Sequence, residues 1–141
     1  MNKIQVAFKQ AMRIMASDLG LKLKDLNLSI RFDEKGIPDL VARKESKNLK
    51  RVRIGQLIKP KMIGARICAK KLTHFFRIIH VAYLKGAKIN NPKVVSLVFY
   101  PSKKVEEICV GIYVNGTAKK AFRLSEVIEL TGLDRELHIL N

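Results

Sequence analysis

The chain has 141 residues, 48% of them hydrophobic and 28% charged, and its 28 Lys and Arg against 12 Asp and Glu give a net charge of +16. This composition excludes a wholly disordered basic tail and predicts one basic α+β domain over residues 1–141. No run approaches the ~20 apolar residues of a membrane span and no secretory signal is visible, so we expect a cytoplasmic protein with reduced thiols at Cys68 and Cys109.

The first third of the chain predicts an amphipathic helix followed by a β-hairpin. Apolar residues recur at helical spacing over 4–19, and Gly20 is a typical helix stop. Alternating apolar and polar residues then predict strands at 26–32 and 37–42, joined by a short turn. Because proline cannot donate a backbone hydrogen bond, Pro38 predicts that the second strand lies at the edge of its sheet.

The middle of the chain predicts an exposed basic arm and a long helix. Residues 43–59 are rich in Lys and Arg and show little periodicity, which is typical of a loop or arm. Pro60 suits the first turn of a helix that runs to about Lys85 and stops at Gly86. One face of this helix is apolar and should be core. A narrow polar stripe follows another face and should be exposed: Arg66, Lys70, Thr73, Arg77 and His80.

The last third predicts a three-stranded antiparallel meander and a short helix. Strands are expected at 94–100, 105–114 and 117–124, and Asn115-Gly116 favours a two-residue hairpin turn because both positions need positive φ. Ser125 suits the start of the final helix. The predicted fold class is therefore a single α+β domain with an N-terminal helix, a β-hairpin, a long central helix, a meander and a short C-terminal helix.

Residues 124–137 resemble the first helix, glycine turn and start of the second helix of a helix-turn-helix, a resemblance that implies DNA binding there. Acids stand near the start of the would-be recognition helix, at Asp134 and Glu136. Because carboxylates repel phosphates, we favour a helix that packs on the core.

The positive charge is concentrated in the middle of the chain. Residues 46–105 contain fifteen Lys and Arg and no Asp or Glu, whereas the two ends carry all twelve acids. A solvated face normally mixes charges of both signs, because opposite charges stabilise a helix at i, i+4 spacing. A segment of sixty residues without a carboxylate indicates that the counter-charge comes from a polyanionic partner.

Nucleic acid is the partner that this pattern favours. We expect the arm and the long helix to form one basic surface that contacts phosphates without reading bases. The candidate residues are Lys47, Lys50, Arg51, Arg53, Lys59, Lys61, Arg66, Lys70, Lys71 and Arg77. With no Trp and few other aromatic residues, the chain offers no evident platform for stacking single-stranded bases, which favours duplex DNA over RNA.

Two other functions remain open. The basic face could dock an acidic protein or an anionic membrane surface, as an adaptor or effector does. Pro38-Asp39 followed by Glu45-Ser46-Lys47 resembles the motif of PD-(D/E)-x-K nucleases, which implies a Mg²⁺ site on adjacent strands and DNA cleavage. The spacing of His and Cys fits no common metal site, and no phosphate-binding glycine loop is present, so we expect a protein without cofactor, metal or enzymatic activity.

Overall fold

Six antiparallel strands form one sheet, ordered β3-β2-β1-β4-β5-β6, in the computed structural model. The structure describes residues 3–45, 47–52, 69–102 and 107–131. The strands are β1 Asn27–Phe32, β2 Pro38–Lys44, β3 Lys47–Val52, β4 Val95–Pro101, β5 Ile108–Val114 and β6 Thr117–Arg123. The described α-helices are α1 Lys3–Asp18, α2 Ala69–Gly86 and α3 Leu124–Thr131, and 3₁₀ turns lie at Leu23–Asp25 and Pro92–Val94.

The described helices pack on one face of the sheet and enclose the core there. Alternate residues of β1, among them Leu28 and Ile30, point to this face and are fully buried. An aromatic cluster joins the layers: the ring centroid of Phe99 in β4 lies 4.9 Å from that of Phe8 in α1 and 5.3 Å from that of Phe76 in α2. Burial of this apolar surface is what holds the helices on the sheet.

The predicted N-terminal helix and its stop are confirmed. Gly20 has a φ of 71°, its N–H donates to the carbonyl of Ser17, and the N–H of Leu21 donates to that of Ala16. This is a Schellman motif, in which the left-handed residue satisfies carbonyls at the helix end.

Replacing Gly20 with alanine should therefore lower the free energy of unfolding by about 1 kcal/mol, because a Cβ disfavours the left-handed conformation. Gly86 is a matched control, since its φ is not positive and a Cβ there would meet no atom within 4 Å. Gly86→Ala should be neutral or stabilising by about 0.5 kcal/mol. Urea unfolding of both variants measures the difference, and equal effects would contradict this assignment of the helix end.

The predicted hairpin and the predicted meander are both present, but they belong to one sheet. Antiparallel pairing of β1 with β4, for example Ile30 opposite Leu97, joins them. The edge position expected for β2 is wrong, because β3 pairs along its outer side from Leu40 onward. Pro38 is tolerated because it is the first residue of β2 and lies beyond that pairing.

Part of the segment expected to be an arm is a regular strand. Residues 47–52 form β3, so the loop interpretation is wrong there, although the side chains of 47–51 are exposed as expected. Residues 53–59 lie outside the described part of the chain. The long helix is described from Ala69 to Gly86, and its expected start at Pro60 also lies outside.

The C-terminal elements agree with the expected order. Asn115 and Gly116 have φ values of 51° and 79°, as the two-residue hairpin turn requires. In α3, Leu124, Val127 and Ile128 are buried in the core, so this helix packs on the sheet as favoured. Residues 132–141, which would supply a second helix of a helix-turn-helix, lie outside the described residues. Among the described helices, none has the length and apolar character to cross a membrane.

Candidate nucleic-acid interface

Strand β3 is an edge of the sheet, and its basic side chains are exposed. All five residues from Lys47 to Arg51 are exposed, and Val52 alone in this strand is buried. No described strand pairs with the outer side of β3. Its lysines can therefore meet a large ligand without any rearrangement of the core.

A β-bulge gathers three lysines on one face of the β2–β3 pair. Lys44 pairs with Lys47, and Ala42 pairs with Lys50, with a register shift between these pairs. The shift leaves Leu49 as an extra residue, so Lys47 and Lys50, three positions apart, point to the same side. Without the bulge, the period-two alternation of a strand would place them on opposite faces.

These three lysines, which we call the lysine cluster (Lys44, Lys47 and Lys50), form an unfavourable arrangement for an isolated protein. Like charges directly opposite each other on paired strands destabilise a sheet. No described carboxylate forms a salt bridge with any of the three. Lys47 and Lys50 occupy successive positions on one strand face, about 7 Å apart. This spacing is close to twice the rise of about 3.4 Å from one phosphate to the next along a DNA strand.

Arg51 lies on the other face of β3 and is paired. Its Nε is 2.9 Å from Oδ1 of Asp39, and the two side chains are 80% and 48% exposed. An ion pair this accessible contributes about 1 kcal/mol or less, so a phosphate could replace the carboxylate at small cost. Lys93, a second basic residue of the acid-free segment, similarly pairs with Glu34 at 3.0 Å.

Arg77 is exposed, but its guanidinium is engaged in a structural contact. Its Nε donates to the carbonyl oxygen of Gly36 at 2.8 Å, and its Nη2 donates to the same oxygen. Gly36 lies in the β1–β2 turn and has a φ of 76°. Arg77 therefore connects α2 to this turn through its hydrogen bonds. Since α2 packs on the face opposite to Arg51, the structure does not bring these two predicted site residues onto one surface.

Six of the ten candidate residues have no described side chain. Arg53, Lys59, Lys61 and Arg66 lie outside the described residues. Lys70 and Lys71 belong to the first turn of α2, and their side chains are likewise outside. Of the candidates, the structure brings together Lys47 and Lys50, and it adds Lys44, which sequence reasoning missed.

His80 is not part of an exposed polar stripe, and that expectation is wrong. The residue is 2% exposed, its ring centroid lies 4.9 Å from that of Phe32, and its Nε2 donates to the carbonyl of Val95 at 3.3 Å. The helix therefore turns this position toward the sheet. Burial lowers the pKa of His80 below its ordinary value of 6.5, and backbone contacts at Val95 and Pro92 offset part of this effect.

The lowered pKa of His80 predicts acid sensitivity of the fold. As the pH falls through 6.5, the unfolded chain takes up a proton that the folded protein resists, so the free energy of unfolding should decrease until the pH reaches the lowered pKa. His80→Gln keeps a donor for Val95 but cannot titrate. Urea unfolding between about pH 8 and pH 5 should show a steeper loss for the wild type, and parallel pH profiles would contradict the assignment.

The acidic residues do not assemble the metal site of the nuclease motif. Asp39 lies near the start of β2 and Glu45 just beyond its end, so about 20 Å of extended strand separates them. Asp39 already pairs with Arg51. Among the described residues, no group of His, Cys, Asp and Glu could hold a metal ion. Cys109 is buried and unbridged, and burial raises the pKa of its thiol, whereas Cys68 lies outside the described residues.

Other described basic residues are distributed around the molecule. Lys22 precedes the first 3₁₀ turn and Lys24 lies within it, Lys88 follows α2, and Lys119 and Lys120 lie on β6, all of them exposed. Within the described part of the chain, the lysine cluster is therefore a local concentration of charge.

Comparisons of the chain with protein-family models, curated proteins and solved structures give no match.

Proposed function

We propose that this protein is a non-enzymatic nucleic-acid-binding protein that contacts phosphates through basic side chains, with duplex DNA as the favoured form. The observation that carries the proposal is the lysine cluster of β2 and β3, where paired strands place like charges together with no described carboxylate in contact. Phosphates would supply the missing counter-charge. Phosphate contacts of this kind give affinity without sequence preference.

The overall charge supports the same proposal. A net charge of +16 on 141 residues repels itself in the compact state, and a polyanion relieves that repulsion. Seven basic residues of the acid-free segment have described side chains, and only two of these seven form a salt bridge, Arg51 with Asp39 and Lys93 with Glu34.

Edge lysines have a second explanation, which the test must separate from binding. A charged edge strand resists pairing with the edge of another molecule and so prevents aggregation. That role needs charge of either sign, whereas phosphate binding needs positive charge.

A titration against nucleic acids tests the proposal. Protein purified at high salt should bind a fluorescent duplex DNA, and the affinity should fall steeply with salt, by a slope of about −1 in log K against log salt for each phosphate contacted. Single-stranded DNA and RNA of the same length show whether the duplex is preferred. Failure to bind any of the three at low salt would overturn the proposal, as would binding that salt does not weaken.

The adaptor function is a second candidate, and the edge position of β3 favours it. An extended segment of a partner could add a strand to the outer side of β3, with acidic side chains opposite its lysines. A protein that binds no nucleic acid but pairs with an acidic extended peptide, detected by new amide protection in β3, would support this candidate instead.

A further inference from the structure

The far edge of the sheet repeats the main features of β3. Strand β6 is exposed over Thr117–Ala121, and it carries two adjacent lysines, Lys119 and Lys120. A register shift opposite Ile112 and Tyr113 leaves Lys119 as an extra residue, so β6 also has a bulge at its basic residues. No salt bridge joins either lysine to a described carboxylate, and Nζ of Lys120 lies 5.8 Å from the ring centroid of Phe122.

The next basic residue of β6 differs from this pair. Arg123 is held by Glu126, with Nε 2.6 Å from Oε1, and is 3.7 Å from Oε2 of Glu107. The C-terminal acids thus engage Arg123 and leave Lys119 and Lys120 as the basic group of this edge.

The two edges face away from each other and are too far apart to enter one groove of a duplex. Five strand intervals separate β3 from β6, which corresponds to about 24 Å at the usual spacing of strands. The major groove of duplex DNA is about 12 Å wide, so the edges cannot enter one groove. Sheet twist accumulates to about 100° over five intervals, so a duplex that follows β3 would run across one that follows β6.

From this placement we infer that the protein bridges two nucleic-acid duplexes, with the lysine cluster on one duplex and Lys119 and Lys120 of β6 on the other. The inference rests on the proposed function, because it assigns a second site to the same ligand. Positive charge on both edges disfavours edge-to-edge pairing of two copies of the chain, whereas it complements a second polyanion. A single molecule is therefore enough to hold two duplexes together.

A capture experiment tests bridging. Biotinylated duplex DNA is fixed on beads, and retention of a second, fluorescent duplex is measured as protein is added. Retention should rise with protein and then fall at excess protein, because each duplex becomes saturated separately. The double variant Lys119→Glu/Lys120→Glu should lose about tenfold in retention, while its affinity for one duplex should fall only about threefold, through the change in net charge. The charge-matched control Lys22→Glu/Lys24→Glu should lose no more than about threefold in retention, through the long-range field alone.

The outcomes separate the two proposals. If the wild type binds a duplex but does not retain a second one, bridging is overturned and the proposed function stands. If Lys119→Glu/Lys120→Glu retains the second duplex like the wild type, the β6 site is overturned, and light scattering then shows whether a dimer bridges instead. If the wild type binds no duplex, both proposals fail. Thermal unfolding of each variant confirms that the charge reversals leave the fold intact, as expected for exposed positions.

Discussion

The double variant Lys47→Glu/Lys50→Glu should bind duplex DNA about 100-fold more weakly than the wild type at low salt. Both side chains belong to the lysine cluster, and the reversal turns a site for phosphate into one that repels it. The dependence of log K on log salt should also become shallower by about 2, because two phosphate contacts are lost. Fluorescence anisotropy at several salt concentrations measures both quantities.

Lys22→Glu/Lys24→Glu is the control for net charge, since it changes the total charge by the same amount at exposed positions outside β2 and β3. It should weaken binding about threefold, through the long-range field alone. Because glutamate also keeps the edge strand charged, Lys47→Glu/Lys50→Glu should keep the oligomeric state of the wild type. Equal losses of affinity in the two variants would show that binding depends on net charge and not on the lysine cluster.

Phe99→Ala should destabilise the fold by about 3–5 kcal/mol, the largest effect that we expect of a single core substitution. The Phe99 ring is fully buried between Phe8 of α1 and Phe76 of α2, and its loss leaves a cavity where both helices meet the sheet. Since domains of this size are stable by about 5–15 kcal/mol, the variant should be close to unfolded at moderate temperature. Urea unfolding followed by circular dichroism measures the effect.

Phe122→Ala makes the same chemical change at a partly buried position on the edge strand β6. Its cost should be about 1 kcal/mol, because less apolar surface returns to water and the edge can relax. A Phe99→Ala variant that unfolds at the same urea concentration as Phe122→Ala would contradict the described aromatic cluster.

The elements that could be predicted from the sequence are those that local patterns determine. The N-terminal helix ends at Gly20 because glycine adopts the left-handed backbone conformation with little strain. The Asn115-Gly116 turn likewise forms at residues that tolerate a positive φ. Asp33 illustrates the same point at the β1–β2 turn, where its Oδ1 accepts from the N–H groups of Lys35 and Ile37. The residues that make these interactions lie within a few positions of each other, so a local sequence pattern predicts them.

Features that depend on distant pairing could not be predicted. The pairing of β1 with β4 joins segments more than sixty residues apart, so no local sequence pattern indicated that the hairpin and the meander form one sheet. Strand β3 has a burial pattern without alternation, because every residue before Val52 is exposed, and it therefore resembled an arm. His80 was assigned to a polar stripe by its residue type, yet it faces Phe32 because the helix packs closely on the sheet.

The candidate site was predicted in part. Lys47 and Lys50 were identified from the absence of acids around them, and exposure on an edge strand agrees with that expectation. Lys44 was missed because it precedes Glu45 and lies outside the acid-free segment. The bulge that brings it together with the other two lysines is a matter of register, which no local pattern reveals. Arg77 was included because of its spacing, and its contact with the Gly36 carbonyl depends on a turn 41 residues away.

Lysine acetylation, measured by mass spectrometry with and without a saturating duplex, tests most directly whether the lysine cluster meets phosphates. Bound duplex should slow acetylation of Lys44, Lys47 and Lys50 about fivefold or more, because a phosphate contact shields the amine, while Lys22 and Lys24 react as before. Unchanged reactivity of all three cluster lysines under saturating duplex would contradict the proposed interface.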